Sequence, residues 1–297
     1  MSFLADIEYV DHGVSDQTPL GKNAGGNPMA DNTIVCLHGI GGDQDSFRPQ
    51  LESLSDEYRV IAWSMPGYRG SKPLEHYSFA TLGHQFVKWL DAMSLDKVHL
   101  VGQSIGGMLA QHLGFYYPDR VRSLVLIATT SAFGGRDDEF RDQFLRARLA
   151  PLDKGETMPG IATRFVPEIV GSAAPAAAIE AATASMSAIP ENTWRRILAC
   201  LVTFNMRNEW TRLSLPRCLI SGAEDRNAPP RTMEKMATLI QSQIENHTAN
   251  NMEDSTTGSC VVSVPEHRCE YHCVAGGKHT MVLSAMGLPS AFLPSGV

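Results

Sequence analysis

The sequence predicts an α/β class: a mostly parallel sheet flanked by helices on both faces, with a helical cap inserted in it. Three observations carry this. Short apolar runs bounded by turn residues recur along the chain, helical patterns alternate with them, and one long interval holds helical patterns alone.

The apolar runs are TIVCL (33–37), YRVIAW (58–63), KVHLVG (97–102), SLVLIAT (123–129) and PRCLISG (216–222). Continuous rather than alternating apolar character suits strands covered on both faces. Between them, FATLGHQFVKWLDAM (79–93), IGGMLAQHLGFYY (105–117) and PRTMEKMATLIQ (230–241) have helical periodicity. The interval 130–215 is far longer than a crossover needs and reads as helices: DEFRDQFLRARLA, MPGIATRFVPEIV, AAPAAAIEAATASMSAI and ENTWRRILACLVTF. The expected organisation is therefore a core of residues 1–132 and 213–297 with a cap of residues 133–212. Residues 242–268 are polar, rich in Asn, Ser and Thr and without period, which predicts a flexible insertion.

Composition bounds the partners. Thirty-two acidic against 25 basic residues leave a net charge of −7, so no basic stripe is offered to phosphates and nucleic acid is not an expected partner. The start MSFLADIEYVDHG lacks a basic segment followed by a long apolar core, and no stretch of about 18 apolar residues occurs. A cytoplasmic protein with no membrane partner is expected, its oligomeric state unspecified. Six cysteines (36, 200, 218, 260, 269, 273) are too few for a disulfide scaffold at this length and are expected to be reduced.

The chemistry centres on VGQSIGGM (101–108). Gly102-Gln103-Ser104-Ile105-Gly106 follows a predicted strand and opens a predicted helix, the setting in which a G-x-S-x-G pattern marks a nucleophile. Glycines on both sides let neighbouring backbone approach a sharp turn, and the helix N-terminus favours developing negative charge. A serine at neutral pH needs a base, and the base an orienting acid, expected later in the chain in the order acid, then histidine. Asp225 lies in SGAEDRNAPP immediately past a strand, with Glu224 the only other acid of that turn; capping the following helix is the structural alternative for Asp225. Ten histidines compete for the base. His279, in the loop after the last strand-like run, is the candidate and His267 the runner-up. His247 also falls in the polar insertion, His272 inside the strand, and His84 and His112 in helices. The oxyanion hole needs two convergent N–H groups, read as those of Ile105 and of Ile40 in CLHGIGG, with His38 bracing that loop. Phe133, Phe165, Met186, Trp194 and Phe204 are candidates to line an apolar substrate pocket from the cap.

Together LHGIGG, MPGYRGS, VGQSIGGM, YYPDRV, LVLIATT, SGAEDRNAP and AGGKH resemble the α/β-hydrolase superfamily, particularly small bacterial hydrolases similar to 3-oxoadipate enol-lactonases, over residues 30–241. The resemblance implies an eight-stranded, mostly parallel sheet, a helical cap, no metal or other cofactor, and hydrolysis through an acyl-enzyme. It implies triad roles for Ser104 and Asp225 and oxyanion roles for Ile40 and Ile105. The chain departs from the family at its C-terminal end, where 242–268 swells a normally short join and the Glu and Pro that commonly follow the histidine are absent.

The expected activity is a serine hydrolase cleaving a small carboxylic ester or lactone with Ser104, His279 and Asp225. The alternatives are a C–C bond hydrolase or thioesterase on the same fold, or a weakly catalytic ligand-binding relative. Cys260, His267, Cys269, His272 and Cys273 contain zinc-ligand residue types, but their spacing is wrong for common C-x₂-C pairs, and adjacent His272 and Cys273 would face opposite sides of a strand. No metal is expected.

Overall fold

Seven strands form one sheet in the computed structural model: β1 (Tyr9–His12), β2 (Thr33–Leu37), β3 (Arg59–Trp63), β4 (Val98–Gln103), β5 (Val121–Ile127), β6 (Arg217–Gly222) and β7 (Cys269–Val274). The structure describes residues 3–13, 33–56, 58–133, 138–172, 174–253 and 269–274, without the side chains of 243–253. The sheet order is β1-β3-β2-β4-β5-β6-β7, with β1 antiparallel to β3 and every other pair parallel. The described residues thus form seven strands where the resemblance implied eight.

Each strand expected from an apolar run forms, with boundaries shifted by at most two residues. Their side chains divide by the period of two that a strand imposes. Val35, Leu37, Ile61, Trp63 and Leu100 pack in one cluster with Phe86 and Trp89 of α2 (Phe79–Ala92) and Leu109 and Leu113 of α3 (Ile105–Tyr116). Ile34, Cys36, Val60, Ala62 and Val101 pack in another with Leu51 and Leu54 of α1 (Arg48–Leu54). Helix α2 starts where Ser78 and Thr81 satisfy each other's backbone N–H in a capping box, at 3.1 and 2.9 Å.

The parallel registers bring the carboxyl ends of the strands to one edge. Leu37 pairs with Gly102, Gln103 with Ile127, Ile127 with Ile220, and Gly222 with Val274. Loops leaving that edge are the ones that can converge on a ligand.

The interval between β5 and β6 is helical: α4 (Asp138–Asp153), α5 (Met158–Ile169), α6 (Ala176–Ser187), α7 (Glu191–Leu201) and the short α8 (Arg207–Trp210). The two segments leading into and out of it are held together, with Phe133 N–H donating to the Phe204 carbonyl at 2.8 Å and Met206 N–H to that of Ser131 at 2.8 Å. Trp210 locks the exit to the core, its indole N–H donating to the Met236 carbonyl at 2.9 Å. The last helix, α9 (Pro230–Glu253), continues past the expected end at residue 241. Residues 242–253 of the expected aperiodic insertion are therefore helical, and 254–268 lie outside the described residues. Cys36, Cys200, Cys218, Cys269 and Cys273 are free thiols, the first three buried. No helix among the described residues is long and apolar enough to cross a membrane.

His112, on α3 between the Phe79 and Tyr116 rings, is pulled down to a pKa of about 4 by burial. Between about pH 6.5 and 4 the unfolded chain binds a proton at this residue that the folded chain does not, so stability falls as pH falls. The slope from one such group is at most ~1.4 kcal/mol per pH unit. In urea titrations at pH 7 and pH 5, His112→Gln is expected to lose less stability between the two than the unsubstituted protein; equal losses would rule this titration out.

Candidate active site

Ser104 joins β4 directly to α3, and its backbone is left-handed, with φ 55° and ψ −118°. A residue with a Cβ is rarely found there, and the conformation persists only where its surroundings hold it. Here Ser104 N–H donates to the Ile127 carbonyl at 2.9 Å, while its own carbonyl accepts from Thr129 Oγ1 at 2.7 Å and Met108 N–H at 3.0 Å. The flanking glycines permit the turn. A Cβ on Gly102 would lie 2.5 Å from the Gly106 carbonyl oxygen and 2.6 Å from Gly107 Cα. A Cβ on Gly106 would collide with the Leu37 carbonyl oxygen and stand 2.7 Å from that of His38. Ser104 is 5% exposed and lies on the wall of a cavity.

The loop after β2 crosses this turn. Met65 N–H donates to His38 Nε2 at 3.0 Å, which makes Nε2 the acceptor, so Nδ1 carries the proton that bonds the Gly39 carbonyl at 2.8 Å. Both imidazole nitrogens are committed, and burial lowers the pKa of His38 to about 4. It is a neutral brace with no free nitrogen to act as a base. Tyr68 reinforces the loop, donating its hydroxyl to the Ile40 carbonyl at 2.8 Å and packing edge-on to the His38 ring at 4.7 Å. Gly42 N–H bonds the Gly39 carbonyl at 3.0 Å. Ile40 lines the cavity beside Ser104. Ile105 opens α3, whose first-turn N–H groups have no intrahelical acceptor.

Asp225 is 4% exposed in the turn after β6. Its Oδ1 accepts from the N–H groups of Asn227 at 2.8 Å and Ala228 at 3.0 Å, which fixes the carboxylate against the turn. Glu224 is engaged elsewhere, by Ser172 of the cap through the hydroxyl at 2.6 Å and the N–H at 3.3 Å. Asp225, the acid expected from the sequence, and its neighbour Glu224 thus have different partners. Ala223 N–H bonds the Val274 carbonyl at 2.9 Å, so the Asp225 turn and the chain leaving β7 toward residue 279 depart from neighbouring strand ends. His279 and His267 lie outside the described residues, as does the side chain of His247. His272 is on β7, 3.7 Å from the Glu270 carboxylate. Cys260 is likewise outside the description, and among the described residues no cluster of three potential metal ligands occurs.

The cavity, about 120 Å³, lies between the sheet edge and the cap. Phe133, Phe165, Met186 and Trp194 all lie on its wall. Phe204 does not; it is 2% exposed and packs on Phe79 at 4.7 Å. Phe144, Arg148 and Asn227 were missed as wall residues. The available signal was the i,i+4 spacing of Phe144 and Arg148, which puts both on one face of α4.

The chain matches the family model for the alpha/beta hydrolase fold over residues 32–151. It is 30% identical over 117 residues to the dihydrolipoyllysine-residue acetyltransferase component of the acetoin cleaving system of Cupriavidus necator, covering 39% of this chain and 31% of that one. It is 24% identical over 194 residues to 3-oxoadipate enol-lactonase 1 of Acinetobacter baylyi, covering 65% of this chain and 71% of that one. Among solved structures, a thermophilic esterase from Thermogutta terrifontis superimposes with a TM-score of 0.72 at 18% identity, over 94% of this chain and 88% of that one. The chain spans about a third of the length of the curated acetyltransferase and depolymerase relatives it matches. The fold is that of the α/β hydrolases, in agreement with the family match over residues 32–151. The chain is similar to small hydrolases of the enol-lactonase type.

Gly106→Ala is expected to destabilise the protein by ~1–3 kcal/mol or more, because the added methyl meets backbone of β2 and its loop rather than a movable side chain. Denaturant midpoints check this; an unchanged midpoint would mean that α3 can shift away from β2 without cost.

Proposed function

We propose that the protein is a serine hydrolase of small carboxylic esters or lactones that works through an acyl-enzyme. The observation that carries this reading is the strained, buried Ser104 at a strand-to-helix turn, opening on a largely apolar cavity beneath a helical cap. Similarity to an enol-lactonase and an esterase supports the substrate class.

In the proposed mechanism His279 takes the Ser104 proton as Oγ attacks the carbonyl, then returns it to the leaving alkoxide; water repeats the sequence on the acyl-enzyme. Asp225 holds the imidazole in the required tautomer and stabilises the imidazolium. The Ile40 and Ile105 N–H groups receive the oxyanion. The separation of Asp225 from Glu224 by their partners supports Asp225 as the acid, and the adjacency of the β6 and β7 ends supports His279 as its neighbour. His38 is unsuited to be the base because both its nitrogens are engaged. A nucleophile activated in this way needs no metal or organic cofactor.

A fluorophosphonate probe is expected to label the protein and to fail on Ser104→Ala, whose ester turnover should fall on the order of 10⁴-fold or more. Labelling that survives Ser104→Ala would refute the assignment. The base must be neutral to accept a proton, so activity should rise with pH through an apparent pKa displaced from ~6.5 by the Asp225 charge. His279→Ala should remove that limb and most activity, whereas His267→Ala should retain both; the reverse result would transfer the role to His267.

A further inference from the structure

Among the described residues that line the cavity holding Ser104 there is one cation, and the proposed hydrolytic chemistry leaves it without a task. Arg148, on α4, lies on the cavity wall with Phe144 and Phe165. Its guanidinium sits over both rings, 4.4 Å from the Phe165 centroid and 5.3 Å from that of Phe144. A cation held over ring faces in this way keeps its charge and gives its N–H donors no acceptor there. Among the described residues none of those donors has a hydrogen-bond acceptor, and no carboxylate lies within ion-pair distance of Arg148. Glu168 is the acid whose charge it feels, and Glu168 is exposed.

Two features make this more than an ordinary surface arginine. Arg148 is partly buried, and its burial favours the neutral form, a cost that aromatic stacking only partly offsets. It also stands where two cavities meet. A second cavity within the cap shares Arg148, Phe165 and Trp194 with the Ser104 cavity and adds Arg164 and Glu168. Arg164 is already paired with Glu156 at 3.2 Å, which leaves Arg148 as the cation available to a ligand among the described residues of the two cavities. A planar donor set of this kind, held rigid in an apolar surround, matches the two oxygens of a carboxylate.

We propose that Arg148 is the anion-binding element of the Ser104 cavity and selects substrates that carry a carboxylate remote from the scissile carbonyl. The inference rests on Ser104 being the reacting group and adds the charge class of its substrate. The carboxylate can belong to the acyl part or to the leaving part, and paired substrates separate the two. For the acyl part the pair is the 4-nitrophenyl half-ester of glutaric acid against 4-nitrophenyl hexanoate. For the leaving part it is the acetate ester of 3-hydroxybenzoic acid against phenyl acetate.

The readout is the ratio of kcat/KM for the anionic over the neutral member of each pair. The ratio is expected to fall at least tenfold in one pair on Arg148→Met, which keeps an apolar stem between Phe144 and Phe165, and to be partly retained by Arg148→Lys. Ratios unchanged in both pairs by Arg148→Met would overturn the proposal. Calorimetric binding of glutarate to Ser104→Ala, lost in the Ser104→Ala/Arg148→Met double variant of unchanged circular dichroism, gives a test without turnover. If no ester is cleaved yet glutarate binding depends on Arg148, the hydrolase reading fails and the anion site stands. If esters are cleaved but neither the ratios nor glutarate binding depend on Arg148, the anion site fails alone.

Discussion

A serine held at φ 55° stores backbone strain of roughly 1–3 kcal/mol, and the surrounding structure is arranged so that Ser104 cannot relax. Its N–H and carbonyl are tied to β5 and the loop after it, at Ile127 and Thr129. Gly102 and Gly106 let the turn pass against β2 and α3 at distances no side chain would tolerate. The parallel registers matter for the same reason: aligned carboxyl ends bring the loops after β2, β4, β5 and β6 to one place. One local conformation is therefore held by contacts from β2 and β5 as well as from its own β4 and α3.

The loop after β2 follows from that close approach. Because Gly106 admits the backbone of Leu37 and His38, the segment Gly39–Gly42 lies over the turn and must itself be rigid to be useful. His38 and Tyr68 supply the rigidity by fixing successive carbonyls, those of Gly39 and Ile40. Gly41 lies against Met186, so the same loop also carries a contact to the cap. Glu224, bonded to Ser172, makes a second link between cap and core, one residue from Asp225. The cap thus touches the site from both sides rather than standing over it as an independent unit.

The cap also sets the character of the cavity. Among the described residues, four aromatic side chains give it an apolar body, and the Arg148 guanidinium over two of them gives it a charge. An apolar surround weakens competition from water and strengthens whatever electrostatic contact a ligand makes there. Such a cavity is suited to discriminate among ligands of similar shape by charge, a distinction that the fold alone does not make.

Much of the sheet and the serine turn was legible along the chain, because both depend on short-range patterns. A buried parallel strand must be apolar throughout, and a left-handed serine needs small neighbours, so TIVCL and GQSIG carry their own signatures. The edge strand β1 was not legible, since YVDH is only half-buried and has no continuous apolar run. Nor was the continuation of α9 through 242–253, where polar residues lack the periodicity that marks a packed face. Local pattern alone marked the fold class, the candidate nucleophile, and Asp225 rather than Glu224 as the candidate acid. The rest depends on partners distant in the chain: that the cap engages Glu224, that both His38 nitrogens are committed, and that Arg148 faces the Ser104 cavity while Phe204 does not. Those outcomes rest on contacts between segments tens of residues apart or more, and such contacts leave no mark in local composition or period.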